Sequence, residues 1–545
     1  MKNHPLTIAL VIEDIYLPAW QVAMLRRLAT QEGLKIELVL LADKPKGWPL
    51  NPAKFSFFKK IQRLESKLLE ATEAADQLEN ISGLFDGSFI KLTADSARQQ
   101  YFEKAINLVI NLSSSSKLPR YLIEHSNYGV WHYFYNSHLE RDVSWAGIQE
   151  FNLNQEGILS GVMVYSSYFT KPRYLWVSYT SKQCLLSKTR DNLLWKMLEF
   201  MPVLCQQAAR FEYGKSFIQS RHLATLIDKV VSLESICYCA LWTENFLVLA
   251  LGFLYAHIKR LVYKLALNKT WILLKSEQDP VQNFKKTDQA QVLYTVATGF
   301  VADPCLIEEN GEQYVFFEEY VEATQRGRLV CLKLQDCSTK PEPLIVLEKD
   351  YHLSYPFVFK SEGLWYLVPE SAENRTIDLY RCVRFPDQWE FVKSLMTNID
   401  AYDATFYQYL GRWWMFVNLR PHPSTSPNEL LYLFSADDLL ADHWQAHPAN
   451  PIINHADKAR SAGALFERDG VIYRPSQNCA GSYGRGLNLN AIIEWNEHTY
   501  KEKTVAQCIP QGQASLHGMH SFSCLGNTVI SDGIYTRKRW QKAYV

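Results

Sequence analysis

Two common signatures of a binding partner are missing from this sequence. Its 545 residues carry 57 Lys and Arg against 57 Asp and Glu, so the net charge is zero, and there is no long basic block. Nucleic acid is therefore not an expected partner, because its phosphates require a basic patch. The eleven cysteines form no CxxC pair, which leaves a disulfide framework and a zinc site unsupported and favours a cytoplasmic location.

Export and cofactor signatures are missing as well. The first apolar run, residues 7–12, is too short for a signal peptide, so we interpret it as a buried strand. No GxGxxG follows that strand, and the sequence indicates no cofactor. A helical pattern at 20–28 and an apolar run at 36–41 complete a strand–helix–strand unit, which predicts an α/β domain over residues 1–215.

Further elements are predicted inside and after this domain. Residues 58–80 show the pattern of a charged amphipathic surface helix, and 107–112 and 129–135 are predicted strands. Residues 245–258 contain no charged side chain, and Lys259 and Arg260 follow them. A buried interdomain helix, a membrane-surface helix and a spanning helix all fit this run, so a helical linker at 216–270 is expected and membrane contact through 235–265, on the cytoplasmic side, is left open.

A repeat dominates the second half of the chain. Five sixteen-residue units, each an apolar strand, a turn glycine and an aromatic-rich strand, occupy 303–318, 355–370, 403–418, 462–477 and 518–533. The ninth place of every unit is glycine, as expected of a hairpin turn that requires a positive φ. Repeats of roughly fifty residues with about four strands each are typical of propeller blades. Residues 271–545 are therefore predicted to form an all-β five-bladed β-propeller, with a closing strand at 271–275.

Superposing the units predicts an acidic central channel. Asp303 and Asp403 occupy the first place of the first and third units, while Glu318 and Glu370 occupy the last place of the first and second. An aspartate that starts a strand is often a plain turn residue, which is the alternative interpretation. Clustered carboxyl groups separate their pKa values, and glycoside chemistry uses such a pair as acid and base.

Other polar residues lie close to these positions in the repeat and are candidate substrate contacts. They are His352, Asn374, Arg375, Arg460, Arg474, Gln477 and His520. His517 and His520 form an HxxH motif, but without a third ligand we interpret them as channel-lining histidines and expect no metal.

The second half also resembles a known family. The segments ADP at 302–304, FFEEY at 316–320, HLSYPFVF at 352–359, NRTIDLY at 374–380, DATF at 403–406 and RPSQN at 474–478 resemble, in order, the N-terminal propeller domain of plant glucosamine inositolphosphorylceramide transferases. More distantly they are similar to arabinanase, levansucrase and invertase-type glycosidases. That resemblance implies a catalytic Asp303 and a stabilising Asp403. Many such enzymes take their acid from the fourth blade, where this chain has Arg460, so Glu370 or Glu318 would have to serve.

The first half resembles the formyltransferase core. In residues 107–136 a strand and an LP turn precede a segment similar to the family's G-x-I-N-x-H, with His132 and Phe134 at the Asn and His positions. The resemblance implies a Rossmann-like fold without the usual formyl-transfer residues. His132 and His138 could support another reaction.

The sequence thus predicts a multidomain, carbohydrate-active protein whose partner is a glycan or glycoconjugate. Asp303 would be base or nucleophile, Glu370 the acid, and Asp403 a stabilising group. One alternative is a propeller that binds a glycan or glycolipid while another protein or domain performs transfer. Another is a sugar formyl- or acyltransferase with altered residues.

Overall fold

The computed structural model describes most of the chain in two compact units, the first within residues 1–254 and 422–426 and the second within 255–421 and 427–545. The described residues are 5–43, 60, 75–85, 89–114, 118–135, 155–183, 185–211, 213–220, 267–287, 290–334, 342–510 and 516–538. The apolar run at 245–258, the whole 235–265 segment and His138 lie outside them. Within the described residues no helix is long and apolar enough to cross a bilayer.

Seven strands of the first unit form one mixed sheet, in the order β5-β3-β1-β6-β7-β8-β9. Its first five strands are parallel and the last two antiparallel, while β2 pairs separately with β4. Strands β1 to β9 are Leu6–Ile12, Tyr16–Pro18, Leu34–Leu41, Leu78–Asn80, Phe89–Lys91, Leu108–Asn111, Val130–Tyr135, Gly157–Tyr165 and Arg173–Ser181. Helices α1 to α6 are Ala19–Thr30, Asp95–Glu103, Arg120–Glu124, Leu186–Met197, Phe200–Ala208 and Gly214–Ser220.

The sequence pattern explains the centre of this sheet. Strand β1 is apolar from Ile8 to Ile12, and these residues contribute alternately to the two cores on opposite faces of the sheet. The predicted strands at 7–12, 36–41, 107–112 and 129–135 appear as β1, β3, β6 and β7. Of the predicted helix at 58–80, residues 78–80 instead form β4, and most of the rest lies outside the described residues. A parallel sheet with helices is therefore present, whereas the formyltransferase likeness stays a prediction.

The second unit is a five-bladed β-propeller, as predicted. Four blades are four-stranded antiparallel sheets in chain order, β12–β15, β16–β19, β20–β23 and β24–β27. Their strands are Phe300–Glu309, Glu312–Val321, Arg326–Lys333, Leu344–Leu347; Ser354–Ser361, Leu364–Glu370, Thr376–Arg384, Gln388–Thr397; Ala401–Tyr409, Arg412–Leu419, Leu431–Ala436, Gln445–Ala446; and Phe466–Arg468, Val471–Asn478, Gly486–Trp495, Tyr500–Cys508. The first strand of each blade is innermost.

The fifth blade is assembled from both ends of the propeller sequence. Strands β28 (Leu516–Gly518), β29 (Phe522–Leu525) and β30 (Thr528–Lys538) come from its end, while β10 (Leu267–Glu277) and β11 (Gln291–Tyr294) come from its start. β10 pairs with β30 over its whole length, which confirms the closing strand predicted at 271–275. Leu273 and Ile530 of this blade share a core with Phe317 of the first blade, so the ring is closed.

The turn glycines behave as the repeat predicts. The φ angles are +79°, +80°, +75°, +74° and +60° at Gly311, Gly363, Gly411, Gly470 and Gly526. In the first four turns the preceding residue also has a positive φ, which is the backbone of a type I′ hairpin. An added Cβ would meet nothing within 4 Å at any of the five glycines, so the requirement for glycine there is conformational rather than steric.

Ring closure makes the packing of β10 a determinant of stability. We expect Leu273→Ala, at a fully buried position of this strand, to lower the free energy of unfolding by about 2–5 kcal/mol through lost burial and a new cavity. Lys275→Ala in the same strand removes a partly exposed side chain and should change it by less than about 0.5 kcal/mol. Urea unfolding followed by tryptophan fluorescence measures both, and equal effects of the two variants would contradict the closure.

Candidate functional site in the propeller channel

Three blades present a residue to the centre of the ring through the same backbone distortion. Asp303, Tyr355 and Asp403, at the first place of their repeat units, have φ of +53°, +44° and +50°. Each lies at a shift in the register between the first and second strands of its blade. A bulge of this kind redirects a side chain out of the strand's alternation, and left-handed backbone at non-glycine residues concentrates at functional sites.

The innermost strands enclose a small cavity on the ring axis. Its lining residues come from the first, second, fourth and fifth blades and are Asp303, Pro304, Cys305, Tyr355, Pro356, Phe357, Gly463, Ala464 and Ser523. Asp303 and Tyr355 therefore lie at the channel itself. The mouth of the channel, as the term is used below, is the group formed by Asp303, Glu318, Glu370, Asp403, Arg460, His520 and Asp532.

His520 lies between two buried aspartates from different blades. Its Nε2 is 3.2 Å from Asp303 Oδ1, and its Nδ1 is 2.7 Å from Asp532 Oδ2. The second contact is an ion pair whose angle departs from that of a hydrogen bond. Asp532 Oδ1 also accepts hydrogen bonds from the backbone N–H groups of His520 and Ser521, each at 2.9 Å. The first and fifth blades are thus joined through one imidazole.

The charges in this cluster depend on one another. Burial alone would lower the pKa of His520, but the charges of Asp532 and Asp303 outweigh it and raise the pKa to about 10. Burial likewise opposes ionisation of Asp303, yet His520 and the 2.6 Å hydrogen bond from Ser521 Oγ hold its pKa below the usual value. At neutral pH His520 is therefore an imidazolium and Asp303 a carboxylate.

The same three side chains are those that could hold a cation among the described residues. One ligand atom each from Asp303, His520 and Asp532 lies within 4.8 Å of the others. Without a bound cation, the pKa of about 10 makes His520 an imidazolium that lies between the two carboxyl groups. His517, the other histidine of the HxxH motif, is exposed and does not join His520.

Asp403 is held by Arg460. The guanidinium donates two hydrogen bonds to the carboxylate, at 2.5 and 2.9 Å, and Gln477 Nε2 lies 3.4 Å from it. Burial raises the pKa of Asp403 and the charge of Arg460 opposes that rise. Because Asp403 raises the pKa of the buried Arg460 in turn, the guanidinium stays charged. Arg460 is therefore the counter-ion of a predicted site residue.

Two glutamates in the mouth favour the protonated state. Burial raises the pKa of Glu318 well above its usual value, and the charge of Asp303 adds to the effect. Burial and Asp403 raise the pKa of Glu370 to about 7, while Glu370 accepts hydrogen bonds from Ser354 Oγ at 2.9 Å and the Ala372 N–H at 2.8 Å. Glu318 Oε1 is buried without a hydrogen-bond partner. A protonated Glu318 thus interacts with ionised Asp303, and Glu370, with a pKa of about 7, interacts with Asp403.

The remaining candidates have different positions. His352 Nδ1 accepts from the Gly327 N–H at 2.9 Å, which directs Nε2 to 3.4 Å from Glu318. Asn374 and Arg375 are exposed in a turn, where Asn374 bonds Thr376 and Arg375 bonds the Asn398 carbonyl.

Arg474 is used inside the fourth blade. Its guanidinium makes two hydrogen bonds to the buried Glu502, at 2.8 and 2.7 Å, and one to the Lys458 carbonyl. These bonds hold the fourth blade together, and they direct Arg474 to Glu502 rather than to the carboxyl groups of the mouth.

One residue of the mouth, Asp532, and three that contact the mouth, Ser521, Trp271 and Tyr483, are absent from the sequence prediction. Asp532 is a carboxylate of the fifth blade, where the repeat predicted none, and Ser521 neighbours it. Asp532 occupies the place before the last of its unit, so comparing only equivalent places passes over it. Trp271 and Tyr483 contact the His520 ring, with centroids 4.0 and 5.2 Å away. Trp271 lies in the predicted closing strand, but nothing in the repeat indicated that it reaches the channel.

In the first unit, His132 lies beside Asn111, its register partner on the adjacent parallel strand. Burial lowers the pKa of His132 to about 4, so the imidazole is neutral at pH 7, and its Nδ1 has no hydrogen-bond partner. Phe134 is packed in a small apolar core with Leu159 and Val177. A reaction at His132 stays a prediction.

The propeller part of the chain matches a characterised family. Residues 268–524, slightly under half of the chain, match the family described as glucosamine inositolphosphorylceramide transferase 1, N-terminal. The rice (Oryza sativa subsp. japonica) protein named glucosamine inositolphosphorylceramide transferase 1 is 35% identical over 212 residues, which are 38% of this chain and 28% of that protein. The Arabidopsis thaliana protein of the same name is 31% identical over 229 residues, 42% and 29% of the two chains. The chain thus spans less than a third of these relatives.

Solved glycosidase structures are more distant. An α-L-arabinofuranosidase from Podospora anserina superposes with a TM-score of 0.34 at 13% identity, over 49% of this chain and 97% of that one. A family 117 glycoside hydrolase from Zobellia galactanivorans gives 0.31 at 11% identity, over 49% and 90%. At this level of similarity they carry no information about activity, and the propeller assignment here rests on the strand pairing.

The charge of His520 predicts a pH dependence of stability. Its pKa is about 10 in the folded protein against an ordinary value of 6.5, so its stabilising contribution is complete below pH 6.5 and is lost as pH rises through 10. His520→Asn should therefore destabilise the propeller more at pH 6 than at pH 10.5. Thermal unfolding at the two pH values measures the difference. The same change at exposed His498 is the control, and a pH-independent effect at His520 would contradict the imidazolium.

Proposed function

We propose that the propeller is a carbohydrate-active domain that binds a glycan or glycoconjugate at the mouth of its channel and acts on it by acid–base chemistry. The observation that carries the proposal is the opposite direction of the pKa shifts within one enclosed group of carboxyls. The pKa of Asp303 lies below its usual value, so this carboxyl group is ionised. The pKa of Glu318 is raised well above its usual value, and that of Glu370 is raised to about 7. Environments that move two carboxyl groups in opposite directions identify a base and an acid.

The roles follow from these states. Asp303 is the base or nucleophile, because it alone combines a lowered pKa with a position at the central cavity. Glu370 is the acid, since a pKa of about 7 lets it both hold and release a proton at neutral pH. Asp403 is the stabilising group: burial and the charge of Asp403 raise the pKa of Glu370, and Arg460, which pairs with Asp403, opposes that rise. Glu318, whose Oε1 makes no hydrogen bond and lies 3.4 Å from His352 Nε2, is positioned to bond a substrate hydroxyl or glycosidic oxygen.

A second candidate is a propeller that binds a glycan or glycolipid without cleaving it. The carboxylates of both aspartates already have partners within the protein. Asp303 contacts His520 and Ser521, and Asp403 accepts hydrogen bonds from Nε and Nη2 of Arg460. The names of the matching rice and Arabidopsis proteins are those of transferases, of which the match covers under a third. A supporting role in transfer would fit both facts. A formyl- or acyl-transfer activity of the first unit, at His132, is the third candidate.

The test is a screen of defined oligosaccharides for binding on an array and for hydrolysis in solution. For a substrate cleaved by the wild type, we expect Asp303→Asn to lower turnover by at least about 100-fold, as expected for loss of a base or nucleophile, with binding retained. Asp378→Asn is the matched control, because Asp378 is equally buried but bonds Ser394 within the second blade.

The outcomes separate the candidates. Turnover lost in Asp303→Asn and kept in Asp378→Asn supports acid–base catalysis. Binding by the wild type without hydrolysis of any array member favours the binding module. Turnover unchanged in Asp303→Asn would reject the catalytic role of this residue.

A further inference from the structure

The loop between the second and third strands of the fourth blade carries one aromatic side chain to the mouth of the channel. This loop, residues 479–485, links β25 to β26, and its Tyr483 is 47% exposed. The ring of Tyr483 lies edge-on to His520, with centroids 5.2 Å apart, and 6.3 Å from Trp271 at an interplanar angle of 70°. Tyr483 thus reaches from the fourth blade to residues of the fifth.

The backbone of the loop is shaped to allow this reach. Gly481 and Gly484 have φ of +79° and +69°, so the loop turns sharply on both sides of Tyr483. A Cβ on Gly484 would lie 2.5 Å from the Trp271 ring, so only glycine lets the loop pass that close. Arg485 Nη1 donates to the Ala480 carbonyl at 3.1 Å, which ties the two ends of the loop together. The two glycines and the hydrogen bond across the loop therefore fix the position of Tyr483.

The hydroxyl of Tyr483 has no internal role. Within the part of the chain that the structure describes, this hydroxyl makes no hydrogen bond. The hydroxyls of the buried Tyr355 and Tyr500 do make hydrogen bonds. Burial of the hydroxyl end and the charge of Asp303 raise the pKa of Tyr483, so it stays an O–H donor at neutral pH. A half-exposed tyrosine whose hydroxyl makes no hydrogen bond within the described residues, close enough to Asp303 and Arg460 to feel their charges, is equipped for a polyhydroxylated ring.

We propose that Tyr483, with Trp271 forming the adjacent wall, is a ligand-contacting residue that packs against a sugar ring at the channel mouth and donates a hydrogen bond to it. This inference rests on the proposed carbohydrate-binding function and deepens it, because it places a specificity-determining contact on a blade that supplies no carboxylate to the mouth. The ligand class is a neutral sugar ring with an apolar face and an acceptor oxygen. The loop 479–485 then covers the bound ring.

The experiment uses the full chain and whichever array oligosaccharide the wild type retains. Tyr483→Phe removes only the hydroxyl and should weaken binding about threefold to tenfold, the loss of one hydrogen bond. Tyr483→Ala also removes the ring and should weaken binding by more than about thirtyfold, as truncation of an aromatic anchor does. The control is Tyr473→Phe in the same blade, whose ring stacks on Phe466 and whose affinity should equal that of the wild type.

A second readout separates contact from mere structural support. Saturating oligosaccharide should slow hydrogen exchange of the 479–485 backbone in the wild type and should fail to do so in Tyr483→Ala at equal occupancy. Wild-type affinity in Tyr483→Ala, or unchanged exchange of the loop on saturation, would overturn the role of Tyr483 while leaving the proposed function standing. A wild type that retains no oligosaccharide would overturn the proposed function itself and this inference with it.

Discussion

The imidazolium of His520 between Asp303 and Asp532 is the contact on which the site depends. Without its positive charge, two buried carboxylates from adjacent blades would face each other in a medium that screens poorly, and at least one would have to take up a proton. With it, Asp303 stays ionised, and that charge in turn helps to keep Glu318 protonated. The protonation states of the mouth are therefore coupled. Arg460 acts on Asp403 in a similar way, because its guanidinium bonds that carboxylate and its charge opposes the rise in the Asp403 pKa that burial causes.

Much of this fold could be predicted because the repeat fixes both period and turn. Glycine at the ninth place is needed wherever the backbone must enter positive φ, so five such glycines at equal places define five hairpins. The repeat also identifies Asp303 and Asp403, because both stand at the first place of their units. In the structure each of them lies at the same kind of bulge. Their roles in a reaction remain predictions, because position in a repeat specifies where a side chain lies but not what it does.

The errors of residue choice have physical causes. Arg474 and Gln477 are three residues apart on one strand, so alternation sends them to opposite faces, and only Gln477 approaches Asp403. Asp532 was missed because it occupies the fifteenth place of its unit, whereas Glu318 and Glu370 occupy the sixteenth place of theirs. Tyr483 and Trp271 reach the mouth through a loop and a closing strand, and a contact between such distant segments leaves no mark on local pattern.

The assembly of the fifth blade from both ends of the propeller has a consequence for synthesis. Trp271, which contacts His520, is translated well before its partner, and β10 pairs with β11 on one side but lacks its other antiparallel neighbour until β30 emerges. The carboxylates of the first three blades can be in place earlier, but His520 and Asp532 cannot. The contacts of His520 with Asp303, Asp532 and Trp271 therefore form only in the finished ring, whereas the pair of Asp403 and Arg460 can form before it.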